Sequence, residues 1–347
     1  MSQRPLLRRA GWPLAALALS GCSKAVVLNP SGDIAAQQGQ MVVHATLLML
    51  IIIVPVIVLT LWFAWKYRQS NAASEQDYDP DWHHSTTLEL VIWSVPLLII
   101  IALGAMTWIG THKLDPYRPL DRIAEGKPLD GRPPLEVQVV AMDWKWLFLY
   151  PEEGIATVNE LAAPVDRPIR FRLTATSTMN AFYVPALAGM IYAMPGMQTE
   201  LNAVINEPGV FHGMASHYSG LGFSGMTFKF HGLSEDGFGE WVAQARAAGD
   251  VLDRAAYLAL ARPSEREPVR RFARIEPDLY ERILNRCVED GQMCLHHMMA
   301  IDELGGRAYL RAQGIDLPPD MCTAADLTRD VAALDVTVVA PSVTARP

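Results

Sequence analysis

The chain has 347 residues, 50% of them hydrophobic, a mean hydropathy of +0.13 and a formal net charge of −8. That length holds one sizeable domain plus additions, and the hydropathy suits a few membrane spans joined to a water-soluble part. The acidic balance argues against nucleic acid as a partner. The chain also carries no phosphate-cradling glycine loop, no recognisable Ser/His/Asp motif and no C-x-x-C-H haem attachment, so it proposes no active site of its own.

Residues 1–21 have the pattern of a targeting signal. Arg4, Arg8 and Arg9 form a basic region, and GWPLAALAL is an apolar core too short to span a bilayer. The core ends in Leu19-Ser20-Gly21-Cys22, which resembles a bacterial lipobox, with Cys22 as the lipidated residue of the mature chain. The competing reading is an ordinary signal peptide followed by a chance cysteine. Two or three acyl chains, at about 0.8 kcal/mol per buried methylene, would anchor the chain firmly.

A membrane hairpin is expected over residues 22–110. The first apolar run, residues 42–65, contains no charge, and the second covers residues 88–109. Each is long enough for a hydrocarbon core of roughly 30 Å, and Trp62, Phe63, Trp65, Trp93 and Trp108 supply interfacial aromatics. Pro55 and Pro96 are of the kind that spanning helices tolerate. A lipidated Cys22 faces outward, and Lys66 and Arg68 follow the first run, so residues 67–87 are expected in the cytoplasm and everything after Ile109 outside. Glu89 sits one residue inside the second run. An ionisable group there is either a carboxylate at headgroup level or a functional one. His83 and His84 beside it suit the interface.

A polar, proline-containing linker covers residues 111–134. Beyond it, apolar and polar residues alternate at Leu135, Val137 and Val139, at Ile169, Phe171 and Leu173, and at Met226, Phe228 and Phe230. Short strands parted by turns such as Glu207-Pro208-Gly209 predict an antiparallel sandwich. Within it, GMASHYSGLGFSGM resembles the dinuclear-copper loop of subunit II of the haem-copper cytochrome c oxidases: Ala215, Ser219, Phe223 and Met226 stand where that loop has C-x3-C-x3-H-x2-M, and the resemblance makes His217 and, upstream in MNAFYVPAL, Asn180 two further ligand positions. A mixed-valence copper pair needs two bridging thiolates with imidazole, thioether and carbonyl ligands. Alanine and phenylalanine have no donor, serine and asparagine are poor ones, and Met226 alone cannot hold the ion. Met226 is expected instead to pack as the apolar residue opening a strand.

This ligand-by-ligand loss within an intact frame resembles subunit II of the cytochrome bo-type ubiquinol oxidases, in the haem-copper oxidase superfamily. The resemblance covers about residues 12–300. It implies a membrane-anchored α+β chain: a two-helix transmembrane hairpin, a periplasmic cupredoxin-like antiparallel β-sandwich without copper over residues 132–232, and a C-terminal helical arm over 234–300. TLELVIWSVP resembles the start of the family's second span, which implies that Glu89 lies at the mouth of a proton channel leading to subunit I. The resemblance further implies a non-redox subunit of a proton-pumping enzyme of the inner membrane that oxidises ubiquinol and reduces dioxygen to water. Its partners are subunit I, which holds the haem and copper, further small membrane subunits, and membrane lipids. This chain is expected to bind no cofactor itself.

Trp144 and Trp146 lie in an aromatic run that copper-containing relatives place between a cytochrome c docking surface and the metal. Without copper, packing is the better reading. From Ser234 the pattern turns helical: SEDGFGEWVAQARA with a serine cap, DRAAYLALA, and DLYERILNRCVE after Pro277. Cys287, Cys294 and Cys322 stand near His296, His297 and several methionines. They suit either a disulfide in a loop or a metal cluster of no standard spacing. Residues 301–347 form a tail expected to be partly disordered. The alternative for the whole chain is a free-standing periplasmic lipoprotein that binds a ligand or metal through that late cluster.

Overall fold

The computed structural model describes residues 25–68 and 81–303. Cys22, Cys322 and nearly all of the expected tail therefore lie outside the described residues. The chain forms two compact units, one reaching Leu129 and including Pro185–Gly189, the other formed by the remainder.

The first unit is built on two long helices, α1 (Asp33–Lys66) and α2 (Thr86–Lys113), both long and apolar enough to cross a membrane. α1 begins well before the apolar run. Its first turn is fixed by Asp33, which is buried and accepts a bidentate pair of hydrogen bonds from Arg122 at 2.9 Å each and one from Gln37 at 2.7 Å. The helices meet closely at Gly110, where any Cβ would strike the Met41 side chain. The expected linker contains a small hairpin, β1 (Arg122–Ala124) and β2 (Lys127–Pro128).

The second unit is the sandwich. One sheet runs in the order β10-β7-β3-β4-β5-β14 and the other β6-β12-β11-β8-β9. Their strands are β3 (Leu135–Met142), β4 (Lys145–Tyr150), β5 (Ile155–Val158), β6 (Glu160–Pro164), β7 (Ile169–Ala175), β8 (Asn180–Tyr183), β9 (Ile191–Ala193), β10 (Thr199–Ala203), β11 (Gly209–Ala215), β12 (Thr227–Leu233) and β14 (Arg270–Phe272). The pairing is mixed rather than purely antiparallel: β3 pairs with β7, and β6 with β12, in parallel. Chain crossovers between the sheets produce these pairs, which period-two alternation cannot distinguish from antiparallel ones.

Alternation holds where one face is open, at the start of β3 and of β7. It vanishes in β4 and β5, where every residue is buried. The cause is the C-terminal arm. It contains α3 (Glu235–Ala247), capped by Ser234 as expected, then α4 (Arg254–Ala261), α5 (Leu279–Leu284) and α6 (Leu295–Glu303). The arm is not purely helical. It also carries the paired short strands β13 (Val251–Leu252) and β15 (Arg274–Ile275), and its β14 joins the edge of the first sheet beside β5. Leu252, Tyr257, Leu260, Phe272 and Tyr280 pack on Val140, Leu147, Leu149 and Val158, sealing the outer face of that sheet.

The third helix is shorter than DLYERILNRCVE suggests. Arg286, at φ 54°, takes the left-handed position that ends α5, with Cys287 N donating to Arg282 O and Arg286 N to Ile283 O. Cys287 is thereby turned toward Cys294, and the two form a disulfide. The segment after Cys294, expected as a loop, is α6, which runs past the expected boundary at residue 300.

Candidate functional site

The loop 213–226 keeps its shape through packing and backbone bonds. β11 ends at Ala215, whose N–H donates to Met226 O at 3.0 Å, while Ser216 N–H donates to Ala181 O at 3.0 Å. A short 3-10 turn, Leu221–Gly225, follows, and Met226 lies buried just before β12. Trp144, itself at φ 63°, lies on the loop, and its Nε1 donates to Ser219 O at 3.0 Å. Gly222 leaves room for that ring, because a Cβ there would come within 2.5 Å of it. Beneath, Trp146, Phe148, Phe182 and Phe228 fill the space between the sheets, with Phe182 and Phe228 stacked at 5.4 Å. Both tryptophans therefore do packing work.

Five positions of the copper frame, Ala215, His217, Ser219, Phe223 and Met226, lie on this loop or at its ends, and Asn180 opens β8, the strand that pairs with β11, but their chemistry does not suit the metal. Ala215 and Phe223 offer carbon only, and Phe223 packs on Tyr218 at 5.7 Å. Asn180 is buried at the start of β8, its Nδ2 donating to Thr178 O at 3.1 Å. Its Oδ1 and Ser219 Oγ are buried without a partner among the described residues. His217 packs edge-on against Tyr192 at 5.8 Å. With no thiolate in the frame, these residues do not fit a dinuclear copper centre. No group of three or more His, Cys, Asp or Glu able to hold a metal occurs among the described residues.

The late cluster is also divided. Cys287 and Cys294 are consumed by their disulfide. The rings of His296 and His297 lie 3.9 Å apart, tilted by 56°, and burial, aided by the neighbouring His296, pushes the His297 pKa down.

In the hairpin unit, Glu89 lies in the first turn of α2, whose N-cap is Ser85. Its carboxylate is 52% exposed, and Oε1 lies 2.7 Å from His84 Nδ1. His84 Nε2 in turn lies 3.2 Å from Thr86 Oγ1. The result is a carboxylate–imidazole pair at the N-terminal end of α2. Reading His84 as merely interfacial misses this pairing. The available signal was its position five residues before Glu89, across the cap. At the end of α1, Lys66 lies over the rings of Trp62 and Tyr67 at 5.8 and 5.2 Å, as interfacial anchoring requires.

The fold and the loop define a cupredoxin-type sandwich of the haem-copper oxidase subunit II class. Residues 153–232 match the family model for the periplasmic domain of cytochrome c oxidase subunit II, and residues 246–291 match the COX Aromatic Rich Motif. The chain is 50% identical over 276 residues to cytochrome bo(3) ubiquinol oxidase subunit 2 of Pseudomonas aeruginosa, covering 80% of each chain. It is 47% identical to ubiquinol oxidase subunit 2 of Acetobacter aceti, covering 80% of this chain and 87% of that one. A solved structure of the periplasmic domain of cytochrome oxidase subunit II from Bradyrhizobium japonicum aligns with 25% identity and a TM-score of 0.32, over 33% of this chain and 94% of that one. The chain belongs to the ubiquinol oxidase subunit 2 family.

Proposed function

We propose that this chain is the second subunit of a proton-pumping terminal oxidase of the inner membrane, which oxidises ubiquinol and reduces dioxygen to water. The observation that carries this reading is an intact subunit II loop, held by Trp144 and the Ala215–Met226 backbone bond, with no thiolate in it. Such a loop cannot accept electrons from a cytochrome, which favours a reductant that delivers them elsewhere in the complex. In this reading the haem and copper reside in subunit I, this chain binds no cofactor, and its sandwich covers the periplasmic side. Cys22 is lipidated, residues 67–87 face the cytoplasm, and Glu89 with His84 collects protons at the mouth of the uptake channel.

The test is purification through a tag on this chain in mild detergent, with haem spectra and oxygen consumption. The expected result is a haem-bearing, multi-span partner and respiration driven by ubiquinol, not by reduced cytochrome c. A colourless chain that emerges alone with stoichiometric metal would overturn the reading in favour of a free-standing binding lipoprotein.

A further inference from the structure

Where α1 begins and α2 ends, the hairpin unit forms an open cavity of about 560 Å³. Its floor is apolar, formed by Met41, Met106 and Ile109 close to the Gly110–Met41 contact. Its upper wall is charged. Arg122 reaches it from β1, fixed in place by its bidentate bond to Asp33, which neutralises it. Lys113, from the last turn of α2, and Glu125, from the turn between β1 and β2, also line it, and among the described residues neither makes a salt bridge. The cavity thus offers one cation and one anion above an apolar floor, at the boundary between the exposed aliphatic belt of the helices and the polar residues beyond them.

We propose that this cavity binds the head group of a zwitterionic phospholipid, its phosphate diester at Lys113, its ammonium at Glu125, and the start of its acyl chains over Met106 and Ile109. A free phosphate matches only half of the lining, and an anionic lipid would leave Glu125 opposing it. A purely apolar guest would bury Lys113 and Glu125 unpaired, which is costly. Each head-group contact is a partly exposed ion pair, so each contributes modestly, and the apolar floor adds the rest. The inference rests on the membrane-spanning reading of the two helices.

The experiment uses the tagged complex from mild detergent, washed to constant lipid content, with retained phospholipid measured by mass spectrometry per copy of this chain. Ethanolamine phospholipid retained by the native complex should fall about fivefold in Lys113→Ala and in Glu125→Ala, the scale of one such pair. Lys113→Arg should keep it. Ile109→Trp, which fills the floor, should expel it without touching a charge. Calorimetry of the delipidated complex with inorganic phosphate should show no binding, whereas nanodiscs of ethanolamine phospholipid should restore the lipid. Unchanged retention in Lys113→Ala, Glu125→Ala and Ile109→Trp would overturn the proposal, as would equal uptake of inorganic phosphate. Haem measured in the same preparation keeps the two readings apart. Haem with unaltered lipid retention sinks only this inference, and absence of haem sinks the oxidase reading.

Discussion

The loop 213–226 and the start of α2 are the two candidate sites of the chain, and they are built in opposite ways. The loop is over-determined. Trp144 lies across it, Ala215 and Met226 are buried, and an aromatic layer around Phe228 supports it from below. None of these contacts involves a metal donor, so the frame can lose every thiolate and keep its shape. Glu89 is the reverse case. It is half-exposed, contacts little beyond His84, and adds almost nothing to packing. A site held by packing can outlive its chemistry, whereas a carboxylate held by one imidazole neighbour can be altered with little effect on the fold.

The comparison is broken most severely by removing the support under the loop. Phe228→Ala is expected to cost about 3–5 kcal/mol, read as a lower urea midpoint by tryptophan fluorescence of the detergent-solubilised chain. If the loop depended on ligands rather than packing, this change would leave the midpoint near the native one. The next largest effect is expected at the clamp between sandwich and arm. Glu160, nearly buried, accepts two bonds from Arg271, at 2.7 and 3.0 Å. Glu160→Gln removes the charge and turns one acceptor oxygen into a donor, leaving Arg271 one amide oxygen and its bond to Gln244 Oε1 at 3.3 Å, and a loss of about 2 kcal/mol is expected after allowing for solvent screening. Limited proteolysis should then cut the arm before the sandwich. Simultaneous loss of both would show that the arm is not a separately held layer.

The same contrast governs what was legible in the sequence. The two long apolar helices, the serine-capped α3 and the alternating starts of β3 and β7 follow from local chemistry, and the structure bears them out; the lack of donors at Ala215, Ser219 and Phe223 is read from the sequence alone. The hidden features depend on distant partners. Nothing local in KWLFLY shows that the arm will bury its second face. Strand β14 is only three residues long, and its place is set by pairing with β5. The end of α5 was obscured because Arg286 occupies a left-handed position where glycine or asparagine is usual. The pairing of His84 with Glu89 runs across a helix cap rather than along one helical face, so helical spacing does not show it.

Lys145 gives a smaller and more local test. Its ammonium is buried and donates to Leu260 O at 2.9 Å and Arg262 O at 2.7 Å, satisfying carbonyls at the end of α4. Lys145→Met removes these bonds while keeping the length of the side chain, and about 1–2 kcal/mol of arm stability should go with them. Burial lowers the pKa of this amine from 10.5, so between the folded value and 10.5 the unfolded chain binds more protons. The contribution of Lys145 to stability therefore rises with pH across that window. The gap between native and Lys145→Met midpoints should widen as pH climbs toward 10.5, and a gap that narrows would contradict the burial argument.

The smallest expected effect on stability is the most informative about function. Glu89→Gln removes an exposed carboxylate with one imidazole neighbour, so its unfolding midpoint should shift by no more than about 0.5 kcal/mol. Turnover should respond very differently if Glu89 collects protons for the complex. Ubiquinol-driven oxygen consumption and proton release by the reconstituted complex should both fall, with haem content unchanged. His84→Ala should give a milder loss, because the carboxylate itself remains. Glu89→Asp, which keeps the acid on a shorter side chain, should recover part of the rate. Full activity in Glu89→Gln would make the carboxylate a headgroup-level residue and leave α2 with a purely anchoring role.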